Sequence, residues 1–171
     1  MCFFKRSFLG AFLFFNRDVT QRNDPNTVIR TIAYQIASYD RRIQATILAA
    51  IENTSNVCFL LPRVQFRKLV VESLRSIHSP LPQQPLVVVL DALDECGTPH
   101  DRKSLLAVLT EETVALAPFV RFVVTSRAEP DICCAFDSHS HIHQHELDTN
   151  SDTNMADTCC IFVIEPRTLE G

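Results

Sequence analysis

The sequence predicts an α/β domain, a parallel sheet flanked by helices with its chemistry at the carboxyl ends of the strands. Three observations lead there. Residues 86–90 form an unbroken apolar run, Leu-Val-Val-Val-Leu, with Pro85 before it and Asp91, Asp94 and Glu95 after it. Such a run reads as a strand buried on both faces, as in a parallel sheet. Two further apolar, β-rich runs lie at residues 9–15 and 119–124. Segments of helical period separate the three, and the order strand, helices, strand, helix, strand implies parallel crossovers.

The first run, within MCFFKRSFLGAFLFF, also resembles a signal peptide, with Lys5 and Arg6 ahead of an apolar core. That core is short and no small-x-small cleavage site follows it. It is also too short to span a bilayer, so a buried strand is the better reading. Asp24 then caps a helix with Pro25 at its first position, where a missing N–H costs nothing. Val28, Ile29, Ile32, Ala33 and Ile36 mark its apolar face. Asp40 restarts the pattern for a second helix with Ile43, Ile47, Leu48 and Ile51 on one stripe. A third helix follows Pro62 and carries Phe66, Leu69, Val70, Leu74 and Ile77. Pro80, Pro82 and Pro85 end helical structure and deliver the chain to the central strand.

Beyond Gly97, Asp101 is placed to cap a helix with Leu105, Leu106 and Leu109 inward, ending at Pro118. The third strand closes on Thr125-Ser126-Arg127. A short helix over 129–136 and a last strand over 139–147 complete the regular pattern. From Asp148 the chain turns polar and loses periodicity, apart from an apolar patch at 159–164. The division is therefore one domain over 1–148 and an irregular tail over 149–171.

Composition narrows the function. A net charge of −4 with no basic block argues against a nucleic-acid or acidic-membrane partner. Seven cysteines, an odd number without regular spacing, point to reduced thiols in a cytoplasmic protein rather than a disulfide framework. Alternating His139, His141, His143 and His145 would share one face of a strand, with Cys133 and Cys134 nearby. Metal ligation there lacks a framing Cys-x₂-Cys pair, and a polar strand face is the plainer reading. Cys96 reads as a structural thiol, its pKa raised by the adjacent carboxylates. Thr125-Ser126 and the histidines lack an orienting acid at recognisable spacing, so no nucleophilic triad is read.

The acids at 91–95 carry the sharpest hypothesis. Ligands of open α/β sheets bind beyond the carboxyl ends of strands. Three carboxylates in a dry site invite a hard cation, and Mg²⁺ brings phosphates with it. A strand-end acid holding Mg²⁺ is the Walker B arrangement of P-loop NTPases. The plain alternative is a buried strand followed by a solvated acidic turn.

The phosphate-cradling loop of those enzymes, Gly-x-x-x-x-Gly-Lys-Ser/Thr, does not occur in these residues. The three glycines are Gly10, Gly97 and Gly171, and none precedes Lys5, Lys68 or Lys103.

Four stretches in order resemble the NACHT class of STAND NTPases, in the fungal form closest to the nephrocystin 3-like N-terminal domain. They are Leu-Gly-Ala-Phe-Leu-Phe-Phe-Asn-Arg-Asp at 9–18, Ile-Ala-Tyr-Gln-Ile-Ala at 32–37, Leu-Asp-Ala-Leu-Asp-Glu-Cys at 90–96 and Phe-Val-Val-Thr-Ser-Arg at 122–127. The resemblance implies that Asp91 holds Mg²⁺, directly or through water, and that Asp94 and Glu95 orient an attacking water. Ala92 stands where many related ATPases keep a catalytic Glu. Arg127 would sense the γ-phosphate through a charge-assisted hydrogen bond, its plain alternative being an ion pair with Glu129 or an acid of the Asp91 cluster.

The same resemblance implies an ATP–Mg²⁺ signalling switch. Its core sheet sets the P-loop strand beside the sensor 1 strand, so without that strand the run at 119–124 would present an open apolar edge. The expectation is a partial P-loop NTPase-like sheet, a truncated or clipped module that binds ATP–Mg²⁺ weakly or not at all and does not turn it over. The alternative is a non-enzymatic interaction module that self-associates or binds another NACHT-type chain. A DEAD-type helicase fragment, suggested by Leu93-Asp94-Glu95-Cys96, fits the acidic charge poorly.

Overall fold

A computed structural model describes residues 8–18, 24–77, 85–147 and 159–166. It contains a five-stranded sheet of order β1-β2-β3-β5-β4. The strands are β1 (Leu9–Phe14), β2 (Leu86–Asp91), β3 (Val120–Arg127), β4 (Ile142–Leu147) and β5 (Cys159–Ile164). The first three are parallel, as the pattern predicts. β5 runs antiparallel to both β3 and β4.

The helices begin where their capping chemistry puts them. In α1 (Pro25–Tyr39) the Asp24 carboxylate accepts the Thr27 amide, and in α2 (Arg41–Asn53) Asp40 accepts that of Arg42. The next helix, α3, opens as Pro62–Phe66, widens into π turns over Arg67–Glu72 and closes as Ser73–Arg75. α4 runs as Pro99–Ala107, then π turns over Val108–Glu112 and a 3₁₀ turn over Thr113–Ala115. Its cap is Thr98, not Asp101. Asp101 sits at the third helical position and returns a bond to the Thr98 amide, closing a capping box. Helix α5 spans Pro130–Asp137.

One core joins these layers. Leu86, Val88, Leu90, Val120, Phe122, Val124, Phe162 and Ile164 are buried beneath the helices. Phe66 of α3 packs on Phe122, and Phe136 of α5 meets Phe162 edge-on at 4.6 Å between ring centroids. Gly10 lies under Leu86, whose Cδ1 would be 2.3 Å from any added Cβ.

Three further expectations change. The central strand is not buried equally on both faces: Leu86, Val88 and Leu90 are buried, Val87 and Val89 only half-buried. The helices gather over one face, so the run of valines reflects apolar residues on a half-covered face as well. The open edge expected on β3 is absent, because β5 pairs with it from Phe122 to Arg127. The apolar patch of an otherwise patternless stretch supplies that strand, and the outer strands are β1 and β4. The four histidines do not share a strand face. β4 starts only at Ile142; His141, just before it, is buried against Thr113 at 3.2 Å, while His143 and His145 are exposed.

Candidate functional site

The parallel ladder places Leu90 opposite Val124, so β2 and β3 end side by side. Asp91 leaves the end of β2, and Thr125 donates its hydroxyl to the Asp91 carboxylate. The same Thr125 oxygen accepts the Ala92 amide at 2.9 Å. Ala92 takes left-handed backbone angles, φ 58° and ψ 50°, a conformation that L-residues other than Asn and Asp seldom hold without surrounding constraint. This turn swings the next residues, Leu93–Glu95, into one 3₁₀ turn under the end of β3.

Asp94 is 4% exposed. One of its oxygens accepts the Arg127 amide at 3.1 Å. The other lies 3.8 Å from the Arg127 guanidinium and 3.9 Å from that of Arg17. Glu95 is half-buried and accepts the Arg17 amide at 3.3 Å. The acids thus meet protein partners: a hydroxyl for Asp91, an amide and two arginines for Asp94, an amide for Glu95. For Arg127 the pairing with an acid of this cluster is present.

Phe14, Asn16, Asp91, Ala92, Glu95, Thr125, Arg127 and their neighbours line a shallow cleft of about 410 Å³. Asp91 and Arg127, assigned together from the sequence, therefore share one cleft wall, as do Asp94 and Glu95. Among the described residues no three of His, Cys, Asp and Glu converge as an all-protein metal cage.

Behind the cleft stands Arg102 of α4, 2% exposed. It donates to the Asp94 carbonyl at 3.0 Å and grips Asp131 of α5 through two bonds of 2.7 and 2.8 Å. That bidentate pair holds the Asp131 carboxyl below its ordinary value, chiefly through the Arg102 hydrogen bonds. Cys96, beside it, is buried, and burial pushes its thiol up to about 12 although Arg102 pulls the other way. Burial, rather than neighbouring carboxylates, makes it inert.

Sequence reasoning missed Arg17, Arg102 and Asp131, and quoted Thr125 without a role. Arg17 stood in a quoted motif, but its contact spans 78 residues of chain. Nothing local marks Arg102, since an arginine in a helix of mixed pattern ordinarily faces water.

No helix among the described residues is long and apolar enough to cross a membrane. Comparison with curated proteins and with solved structures returns no match. A family model, described as nephrocystin 3, N-terminal, matches residues 4–127.

Proposed function

The chain belongs to the nephrocystin 3 N-terminal family, over residues 4–127, and from that premise we propose that the cleft beyond β2 and β3 is the metal-and-phosphate end of a nucleotide site in a NACHT-type signalling NTPase. The observation that carries this is the shared cleft of Asp91 and Arg127 at adjacent strand ends. The donor set fits the group: Asp91, Asn16, Glu95 and Thr125 offer hard oxygen atoms. Mg²⁺ ordinarily binds on one or two carboxylates with water and phosphate, so it needs no full protein cage.

Asp91, half-buried and oriented by Thr125, would hold Mg²⁺, which supplies charge neutralisation to the phosphates when bound. Arg127 extends from β3 with its guanidinium half-exposed, available to a terminal phosphate as a charge-assisted donor. Asp94 positions Arg127 through its amide and its charge. Glu95, at the cleft wall, is the carboxylate with reach to a water in it.

These 171 residues hold no glycine-lysine phosphate loop, and β5 takes the place beside β3 that the family resemblance reserves for the P-loop strand. On its own, then, this chain binds ATP–Mg²⁺ weakly and does not hydrolyse it. The test is amide line broadening by Mn²⁺–ATP, with phosphate release measured alongside. The expected result is millimolar-range broadening centred on the cleft residues, Asn16, Asp91, Ala92, Glu95, Thr125 and Arg127 among them, lost in Asp91→Asn, with no phosphate released. Broadening centred away from this cleft, or none, overturns the site; micromolar affinity or turnover overturns the weak-binding part.

A further inference from the structure

β1 is the outer strand on the side of the sheet away from β5. Outer strands are commonly protected by charge, proline or bulges. β1, Leu-Gly-Ala-Phe-Leu-Phe, has neither charge nor proline. Its ladder to β2 is irregular between Leu9 and Ala11, which disturbs one end of the edge. Beyond that point the strand is regular, and Phe12 and Phe14 stand 46% and 48% exposed.

The middle of this edge is occupied by a side chain. Gln35 of α1 accepts the Phe12 amide at 2.8 Å and donates to the Phe12 carbonyl at 3.1 Å. One amide group thus gives a single residue both of the bonds that it would exchange with its opposite number in an antiparallel pair. Gln35 is a stand-in for a peptide group of an incoming strand.

We propose that the outer edge of β1 is a strand-addition surface for β1 of a second copy of this chain, and that Gln35 is the latch that keeps it closed. The stand-in identifies an extended backbone as the occupant. A second copy is favoured because the residue to be paired is its own match. A two-fold axis at Phe12 sets Phe12 against Phe12, each exchanging both backbone bonds, in a self-complementary contact. The uncharged sequence of β1 offers no repulsion to that pairing, and the exposed phenyl rings of Phe12 meet across the axis as an aromatic cross-strand pair. This surface is independent of the nucleotide reading, and the assay for it contains no nucleotide.

Sedimentation velocity on the wild-type chain, Gln35→Met and Gln35→Glu tests the proposal, with circular dichroism to confirm folding. Met keeps the length of the side chain and removes both bonds; Glu keeps the acceptor for the Phe12 amide and loses the donor. The expected result is a mainly monomeric wild type, an apparent dimer Kd tightened about tenfold or more in Gln35→Met, and a smaller shift in Gln35→Glu. Adding Phe12→Lys, which opposes like charges across the axis, should return Gln35→Met to monomer. A folded Gln35→Met that stays monomeric at the same concentrations overturns the latch. A dimer that survives Phe12→Lys overturns the surface.

Discussion

Thr125 donates its hydroxyl to the Asp91 carboxylate across the ends of two neighbouring parallel strands. The same oxygen receives the Ala92 amide. One side chain therefore orients the acid and stabilises the turn that follows it. Thr125→Val keeps the shape and removes both bonds, leaving a half-buried amide without its acceptor. The expected loss is about 1–3 kcal/mol in urea unfolding. Asp91→Asn keeps an oxygen for Thr125 and should cost less, about 1 kcal/mol. Equal losses would show that the hydroxyl does not organise the site.

Ala92 carries the left-handed turn without the freedom of glycine. Ala92→Gly relieves the Cβ clash but gives the unfolded chain more conformations. Relief should win by about 0.5–1 kcal/mol, read as a higher urea midpoint. A lower midpoint would mean that the turn is not strained.

Asp94 is held mainly by the Arg127 amide, because its two arginines lie at 3.8–3.9 Å and are more than half exposed. With both guanidiniums largely in water and neither closer than 3.8 Å, these pairs are weaker than the amide bond. Asp94→Asn retains the amide bond and should cost under about 1 kcal/mol, whereas Asp94→Ala strands that amide and should cost about 1–3 kcal/mol. The reverse order would make charge, not the backbone bond, the clamp.

Arg102 is buried and depends on Asp131 for its counter-charge. Asp131→Asn leaves a buried guanidinium under-compensated, at a cost of about 3 kcal/mol. The pair also sets an acid limb. Glu112, buried, behaves alike: burial pushes its carboxyl up, but hydrogen bonds from Arg67 and Arg63 outweigh this and hold it below the ordinary value. Depressed carboxyls contribute stability above their ordinary pKa and lose it as pH falls through the folded value. Stability should therefore drop below about pH 4.5 for Glu112 and about 3.8 for Asp131. Glu112→Gln should flatten the upper part of that limb in pH-dependent urea titrations.

At the alkaline end the cysteines act in the opposite sense. Burial raises Cys96 to about 12 and Cys133 to about 11 from 9.0. A thiol raised on folding contributes stability that is full below about pH 9 and lost as pH climbs through the folded value. Cys134 is exposed. Iodoacetamide at pH 8 should label Cys134 ahead of Cys96 and Cys133, which stay largely unreacted while the chain is folded. Peptide mapping that finds Cys96 labelled as fast as Cys134 would contradict its burial.

Three parallel strands, the helices between them and two of the helix caps could be read from the chain, because these depend on neighbours in sequence. Asp24 and Asp40 cap through bonds two or three residues away. The Thr98 capping box is equally local, but the sequence reading makes Asp101 the cap, and the backbone geometry places it at the third helical position with Thr98 as the cap. Asp91, Asp94, Glu95 and Arg127 were legible as a group, since strand ends in parallel register bring them together whatever lies between.

What no local pattern held was decided by tertiary structure. β5 pairs with β3 through contacts up to 42 positions apart and closes an edge that sequence order left open, because an apolar strand gains more from backbone pairing there than from exposure. Long separations likewise hide the partners of the acids: Arg17 and Thr125, 78 and 34 positions from the groups they meet, are unremarkable residues until the fold sets them around one turn. Periodicity specified most of the side chains that face inward, though Leu48 and Ile51 of α2, read on its apolar stripe, stand exposed; only the assembled sheet determined which polar groups would find each other.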